Sequence, residues 1–446
     1  MKLLRYNMYQ RLKYTFVVCL LLTSIAANAQ VTTQSPYSKF GVGNIKGALL
    51  PQLRAMGGIS TAVYRPGYFN NINMQNPSSY ASINTATLDI GIAGSFTQLS
   101  NKSQSEKSFN STLSHVAFAF PVTKMKTKSA VSFGILPYSE LGYNFKNTAS
   151  VGTTPTNTKT ATYKYLGEGG LTEAYLGYGI QFGDHFRVGA NAAYLFGNLT
   201  ESRSTEYLNE PGAVNSRIQA KNSVGGVAFS YGMQYDIRLD NKTALVFGYS
   251  GSSSSKINSE KTKVVTQYFN DALGNEQPAL DTLQFVENSP TNLKLPLIHN
   301  FGISIQRDNK WLIGADYRLG KWSNLTIDNT NQGLQDTYGA SVGGQYTPDI
   351  TSINNYFKRV DYRLGFSYDK TYIQMNNQDI KQMGVTFGLG LPLASFTRGT
   401  FYKMNLSAEL GKRGTLNNGL LQEKYLNVHL GFTLNTSSWF QRFKFD

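Results

Sequence analysis

Leu176-Gly-Tyr178-Gly-Ile180-Gln-Phe182-Gly-Asp-His-Phe186-Arg-Val188-Gly-Ala190-Asn-Ala192-Ala-Tyr194-Leu-Phe196 is the stretch whose reading decides the fold. On both sides of Gly183-Asp184-His185 every second residue is apolar or aromatic. Tyr175, Gly177, Gly179 and Gln181, then Arg187, Gly189, Asn191 and Ala193, stand between them. Side chains alternate across a strand, so each run has one apolar face and one small or polar face. The pattern recurs in Val227–Ile237, Val385–Leu391 and Leu426–Leu434.

A water-soluble sandwich carries a similar local alternation. Two features favour a membrane barrel. The runs are roughly ten residues or longer, which a tilted membrane strand needs. Connections also alternate in length: short turns at Gly183–His185, Leu239–Lys242 and Arg307–Lys310, long polar loops at Asn147–Glu168, Thr200–Ser216 and Ser250–Lys294. Outer-membrane barrels place such short turns in the periplasm. The runs number about fourteen, an even count as single-chain bacterial barrels have. They begin near Thr85, Phe109, Ser129, Gly170, His185, Arg217, Lys242, Lys294, Trp311, Leu334, Phe357, Asp379, Thr400 and Gln422. The glycine-rich tenth, Leu334–Tyr346, carries the faintest pattern. Tyr346–Tyr356 is long for a turn, and Asn376-Asn377 is short for an outer loop.

Composition agrees. Aromatics make up 13% of the chain, with 28 Tyr and 26 Phe, and mean hydropathy is −0.30. Past the leader there is no apolar run of membrane-helix length, whereas a barrel meets lipid only with alternate residues and carries aromatic girdles. Residues 1–29 read as a cleaved signal peptide: Lys2, Arg5, Arg11 and Lys13, an apolar Phe16–Leu22, then Ala27-Asn-Ala29. Cleavage there removes Cys19, the single cysteine, so the mature chain has no thiol chemistry. It also removes four of the 42 Lys and Arg, lowering the net charge from +15 to +11. A basic exported barrel suits anionic lipid head groups or acidic ligands. Nucleic acid is not an expected partner, since no basic cluster or zinc spacing is present.

Residues 30–84 break the alternation. Arg54-Ala-Met-Gly57-Gly58-Ile-Ser-Thr-Ala62, Tyr64-Arg-Pro-Gly67 and Asn76-Pro77-Ser-Ser-Tyr80 are rich in turn formers yet poor in charge. The expectation is a plug inside the barrel, with Gly57 and Gly58 letting backbone approach the wall. The barrel itself is expected over 85–435, and an aromatic, basic tail over 436–446.

Signs of chemistry are few. His115, His185, His299 and His429 do not fall at metal-ligand spacing, G-x-S-x-G is absent, and no cofactor motif occurs. The chain is read as a non-enzyme with no cofactor or metal. Asp236-Ile-Arg238, Asp316-Tyr-Arg318 and Asp361-Tyr-Arg363 each place an acid and a base on one face, opposite the apolar set. Glu173, Arg187, Lys403 and Glu409 fall on that face too. The set reads as a lumen ion-pair network packing a plugged interior, or as Arg187, Arg238, Arg318 or Arg363 recognising an anionic head group. In the third strand Pro137, Ser139 and Glu140 interrupt the alternation. Proline donates no ladder bond, so Pro137 should open, kink or bulge the wall between Gly134 and Gly142.

A leader, a segment with R-A-M-G-G and N-P-x-x-Y, about fourteen strands and a broken third strand together resemble the FadL-type outer-membrane proteins. That family includes transporters of long-chain fatty acids and aromatic hydrocarbons, and PorV-type accessory barrels of type IX secretion. The resemblance covers nearly the whole mature chain in architecture and only short motifs in sequence. It implies a hatch carrying Asn76 and Pro77 in the family's Asn-Pro-Ala motif, with Ser78 in place of alanine. It also implies a lateral exit at Pro137 into the membrane. The transporters' greasy outer-loop helices have no counterpart in these Ser/Thr/Asn/Lys-rich loops, where only Val264–Phe269 and Leu280–Val286 are apolar. The expectation is an outer-membrane monomer for passive uptake of a hydrophobic or amphipathic small molecule. The alternative is an accessory subunit of an outer-membrane assembly or secretion complex, with Trp439–Lys444 as an interface anchor or docking tail.

Overall fold

The computed structural model describes residues 35–64, 69–122, 127–151, 159–208, 210, 212–271, 273–394 and 399–437. The leader, Arg65–Gly67 and the tail Trp439–Lys444 lie outside them. Among the described residues, fourteen antiparallel strands close into one barrel. They are β1 Ala86–Ser100, β2 Ser105–Pro121, β3 Ser129–Val151, β4 Lys159–Phe182, β5 Phe186–Leu208 and β6 Asn215–Arg238. β7 comes in two pieces, Thr243–Ser252 and Lys256–Tyr268, and so does β8, Asp281–Lys294 and Ile298–Arg307. β9 Trp311–Gly320, β10 Thr337–Tyr346, β11 Asp361–Met375, β12 Gln378–Leu393, β13 Thr400–Gly414 and β14 Gln422–Thr436 complete it. The seam runs from Gln422↔Ser100 to Thr436↔Ala86.

The alternation sorts the faces. Leu176, Phe229 and Ile313 are 55–61% exposed, while Asn191, Gln234, Ser304, Thr386 and Asn405 are buried. A soluble protein would invert this. An outward apolar belt around a polar interior is what a bilayer-facing barrel requires. No helix among the described residues is long and apolar enough to cross a membrane.

The long connections differ from expectation. β4 starts at Lys159, not near Gly170, and β3 to β6 each run 23 or 24 residues. Most of Asn147–Glu168 and Thr200–Ser216 is therefore paired ladder, and Ser250–Lys294 is largely a tall strand pair. Backbone pairing continues above the belt, where alternate apolar residues are no longer needed, so the hydropathy signal stops before the strand does. β2 likewise starts at Ser105 rather than near Phe109. Asn376 and Asn377, with φ of 48° and 59°, close β11–β12 as a two-residue hairpin, which explains that unusually short loop.

The inward face is not polar throughout. Leu171, Leu195, Val224, Ile257 and Leu293 pack with Val42, Trp322, Leu325 and Leu334 in an apolar cluster in the half away from the short turns. Leu195 belongs to the Leu176–Phe196 repeat itself, so the inward face of that repeat turns apolar toward the end away from the short turns.

Candidate functional site

Residues 47–64 and 69–81 lie in the interior and touch the inward face of successive strands. Pro51–Arg54 forms one helical turn, and Arg54 folds its guanidinium back onto the carbonyls of Lys46, Gly47 and Leu49 at 2.5, 3.1 and 2.9 Å. Gly57 has φ of 71°, and a Cβ there would lie 2.8 Å from Phe366 N and Val342 O, so only glycine permits this approach. Gly58 turns the chain at φ of 82° but faces Leu49, not the wall. Thr386 Oγ1 accepts from Gly57 N (2.8 Å) and donates to Ala55 O (3.0 Å).

Asn76 is fully buried and does two jobs. Its Oδ1 accepts from Ser78 N and Ser78 Oγ, at 3.2 and 2.7 Å, and so caps the turn Pro77–Ser82. Its Nδ2 donates to Thr61 O at 2.6 Å. Pro77 abuts Gly179 and Gly189, and Tyr80 packs fully buried beside them. Asn76→Ala should cost about 1 kcal/mol through the lost cap, because Thr61 O keeps a bond from Gln234 Nε2 at 3.0 Å. Urea unfolding in detergent measures this, and an unchanged midpoint would remove the capping role.

The three sequence pairs fare differently. Asp361 binds Arg363 (2.7 Å), Lys403 (2.5 Å) and Thr347 (2.8 Å), all buried. Arg363 also donates to Gln345 and Asn405, at 2.8 and 2.9 Å. Asp316 instead accepts from the backbone N–H groups of Ser60 (2.8 Å) and Thr61 (2.9 Å), while Arg318 pairs with Asp369 at 2.8 Å. Asp236 pairs mainly with Arg187, and Arg238 stands off at 3.5 Å. Residues two apart on a strand are nearly 7 Å apart along it, and in two of the three pairs a group on another strand or on the interior segment lies closer. The alternation places Lys403 on the lumen face, but its pairing with Asp361, like the role of Asp369, depends on register and is not visible in the sequence.

The N-terminal end of the segment is tied to the opposite end of the barrel. Arg413 donates to Ser35 (2.7 Å), Asn44 (2.9 Å) and Glu423 (2.8 Å). Tyr37 donates to the carbonyl of Leu421, and burial, with help from the Glu423 carboxylate, pushes its phenol up to about 12. It therefore stays a neutral donor at physiological pH.

The wall between β2 and β3 is incomplete. Their pairing runs only from Pro121↔Ala130 to Val116↔Ile135. Beyond it, Ser105–His115 pair with β1 alone, and β3 continues with β4 through an irregularity at Pro137–Ser139. Gly134 sits on the next rung below the parting, opposite Ala117. The vacated edge of β3 is taken by the interior segment: Asn44↔Glu140 and Ile45↔Ser139 pair antiparallel, and Lys46 N donates to Tyr138 O at 3.0 Å. Gly142 O accepts from Ser35 N at 3.0 Å. Glu140 is held by Lys46 at 2.5 Å and by Asn110 of β2 at 3.0 Å.

Behind this parting lies a cavity of about 630 Å³, bordered by Leu136, Pro137, Tyr138 and Glu173 on the wall side and by Arg318 and His429 across it. Among the described residues, no group of His, Cys, Asp and Glu is arranged to hold a metal.

A family model described as BamG matches residues 11–446. Among solved structures, the chain is similar to the Ralstonia pickettii toluene transporter TbuX, at 13% identity and a TM-score of 0.55, over 88% of this chain and 99% of that one. It is similar to the CymD monoaromatic hydrocarbon channel, at 13% identity and a TM-score of 0.53, over 89% and 98%. A TodX deltaS2S3 mutant monoaromatic hydrocarbon channel matches at 14% identity and a TM-score of 0.53, over 87% and 99%. At these identities the likeness is one of fold. No curated protein matches.

Proposed function

This chain belongs to the BamG family, and we propose that it is an outer-membrane barrel that passes an amphipathic small molecule between its interior and the bilayer. The exit is the parting of β2 and β3 at Pro137, and residues 35–84 are the hatch. The observation that carries this reading is the break in pairing above Ile135, directly in front of a 630 Å³ cavity. The charged and polar groups bordering that cavity favour a ligand with a polar head over a bare hydrocarbon. No energy source is needed for a molecule that moves down its gradient into lipid.

In this reading Asn44-Ile45 is the gate, an extra strand laid along the free edge of β3. The test is a disulfide between Ile45→Cys and Ser139→Cys, which are direct register partners and so within cross-linking distance. Oxidised cells should lose uptake of a fatty-acid and detergent-like panel, and reductant should restore it. Uptake indifferent to the crosslink would overturn the side exit.

A specific feature favours a second reading, the accessory subunit. Leu280, Leu283 and Phe285 of the tall β7–β8 pair are 57–60% exposed. Counting ~3.3 Å per residue and a tilt of ~40°, Phe285 stands roughly 55 Å from the short turn after Arg307. An apolar belt is only about 25 Å tall, so this patch is outside the bilayer, where it suits a protein partner. Gentle extraction and mass spectrometry separate the readings: a stoichiometric partner lost on Leu283→Ser/Phe285→Ser supports the subunit, and a lone barrel carrying lipid supports transport.

A further inference from the structure

We propose that a compact oxyanion, a carboxylate or phosphate group, binds on Arg187 at the short-turn mouth of the barrel. Arg187 lies in β5 and is 2% exposed. Its guanidinium stacks on the ring of Tyr64, 3.7 Å from the centroid, and its Nη2 pairs with Asp236. Nε and Nη1 are buried and have no partner in the protein. Leaving a buried donor unmet costs about 1–3 kcal/mol, and more on a charged group, so two on one guanidinium mark a place where an acceptor belongs.

There is room for one. Arg187 borders a cavity of about 350 Å³ that also meets Lys128, Gln181, Arg238, Asp184 and Asp308. Lys128 is exposed at its rim. Arg238 lies 3.5 Å from Asp236 and 3.8 Å from Asp308, so both carboxylates are already engaged. Arg187, Arg238 and Lys128 balance Asp184, Asp236 and Asp308 in formal charge. Net field therefore does not draw an anion here. The directed N–H groups of Arg187 do, with Lys128 closing over the far side, and this selects a small group with several acceptor oxygens over a diffuse or halide anion.

The cavity is separate from the 630 Å³ space behind Pro137 and shares no lining residue with it. The site does not depend on what passes the side wall. A free anion and a lipid head group share this chemistry, and the experiment distinguishes them.

Full-chain protein in non-ionic detergent is titrated calorimetrically with inorganic phosphate and with acetate, chloride holding the ionic strength. Mixed micelles of phosphatidylglycerol or phosphatidylcholine form the second arm. Arg187→Lys keeps a cation against Asp236 but loses the planar donor set, and heat-modifiable gel mobility reports that the barrel is folded. One saturable site, weakened about tenfold by Arg187→Lys and about threefold by Lys128→Ala, is the expected result. Binding of free phosphate assigns a soluble anion. Arg187-dependent binding of phosphatidylglycerol alone assigns a lipid head group. Absence of saturable binding in both arms, or equal binding by folded Arg187→Lys, means that water fills the cavity and overturns the proposal.

Discussion

Gly365→Val will open the barrel. Gly365 lies on the inward face of β11, and any Cβ there would collide with Gly57 N and the carbonyl carbon of Met56. Both sides of this contact are backbone, so no rotamer change makes room. Overpacking of this kind costs about 1–3 kcal/mol even where side chains can yield. Residues 55–58 must leave the wall, and Thr386 then loses its bonds to Gly57 and Ala55. The ladder and outward belt are untouched, so the strands stay closed. Planar-bilayer recordings should change from a silent wild type to stepwise open-channel current, and residues 35–84 should become protease-sensitive. Silent recordings with unchanged protease resistance would show that the interior segment does not obstruct the lumen.

Asp361→Ala should cause the largest loss of stability from one side chain. The carboxylate is 2% exposed and is shared by Arg363 and Lys403, themselves 5% and 2% exposed. Removing it leaves two buried like charges facing each other with no anion between them. Breaking a buried pair by deleting one partner costs about 3–5 kcal/mol, and here two cations are stranded. Urea unfolding in detergent or liposomes should show a shift of that size. Lys403→Met added to Asp361→Ala should recover part of it, because one stranded charge goes. A shift below about 1 kcal/mol would mean that water or lipid anions screen the cluster.

Much of this was legible in the residues themselves. The period of two in Leu176–Phe196 is a property of single strands, so strand type, facing and the fourteen-strand ring follow from it. Pro137 was visible because proline lacks a donor wherever it sits. What was not legible depends on register. Asp316 serves the Ser60 and Thr61 amides of the interior segment, and Arg318 reaches across Gly339 of β10 to Asp369 of β11, partners that only the closed ring brings within reach. The strand extensions at Lys159–Gly170 and Lys256–Tyr268 look like loops in the sequence because Ser, Thr and Lys pair there without needing an apolar face. The alternation sets Arg187 on the lumen face beside Arg238, Arg318 and Arg363, but nothing local distinguishes a guanidinium with unmet donors from one fully engaged.

Residues 35–84 leave the ribosome before any strand of the barrel, yet their partners come from β1 and from β3 to β14. Asn76, the Gly57 backbone and the Ser60–Thr61 amides meet acceptors and contacts supplied by different arcs of the ring. Those arcs converge only when the β14–β1 seam has joined. This segment is thus the last to find its place, and until closure its apolar residues, Leu50, Leu53, Met56, Ile59 and Ile72 among them, have no interior to bury in, while its backbone is free to pair with the exposed edges of β1 and β14. Assembly is timed by the seam, and a slow seam leaves the longest window for this segment to go astray.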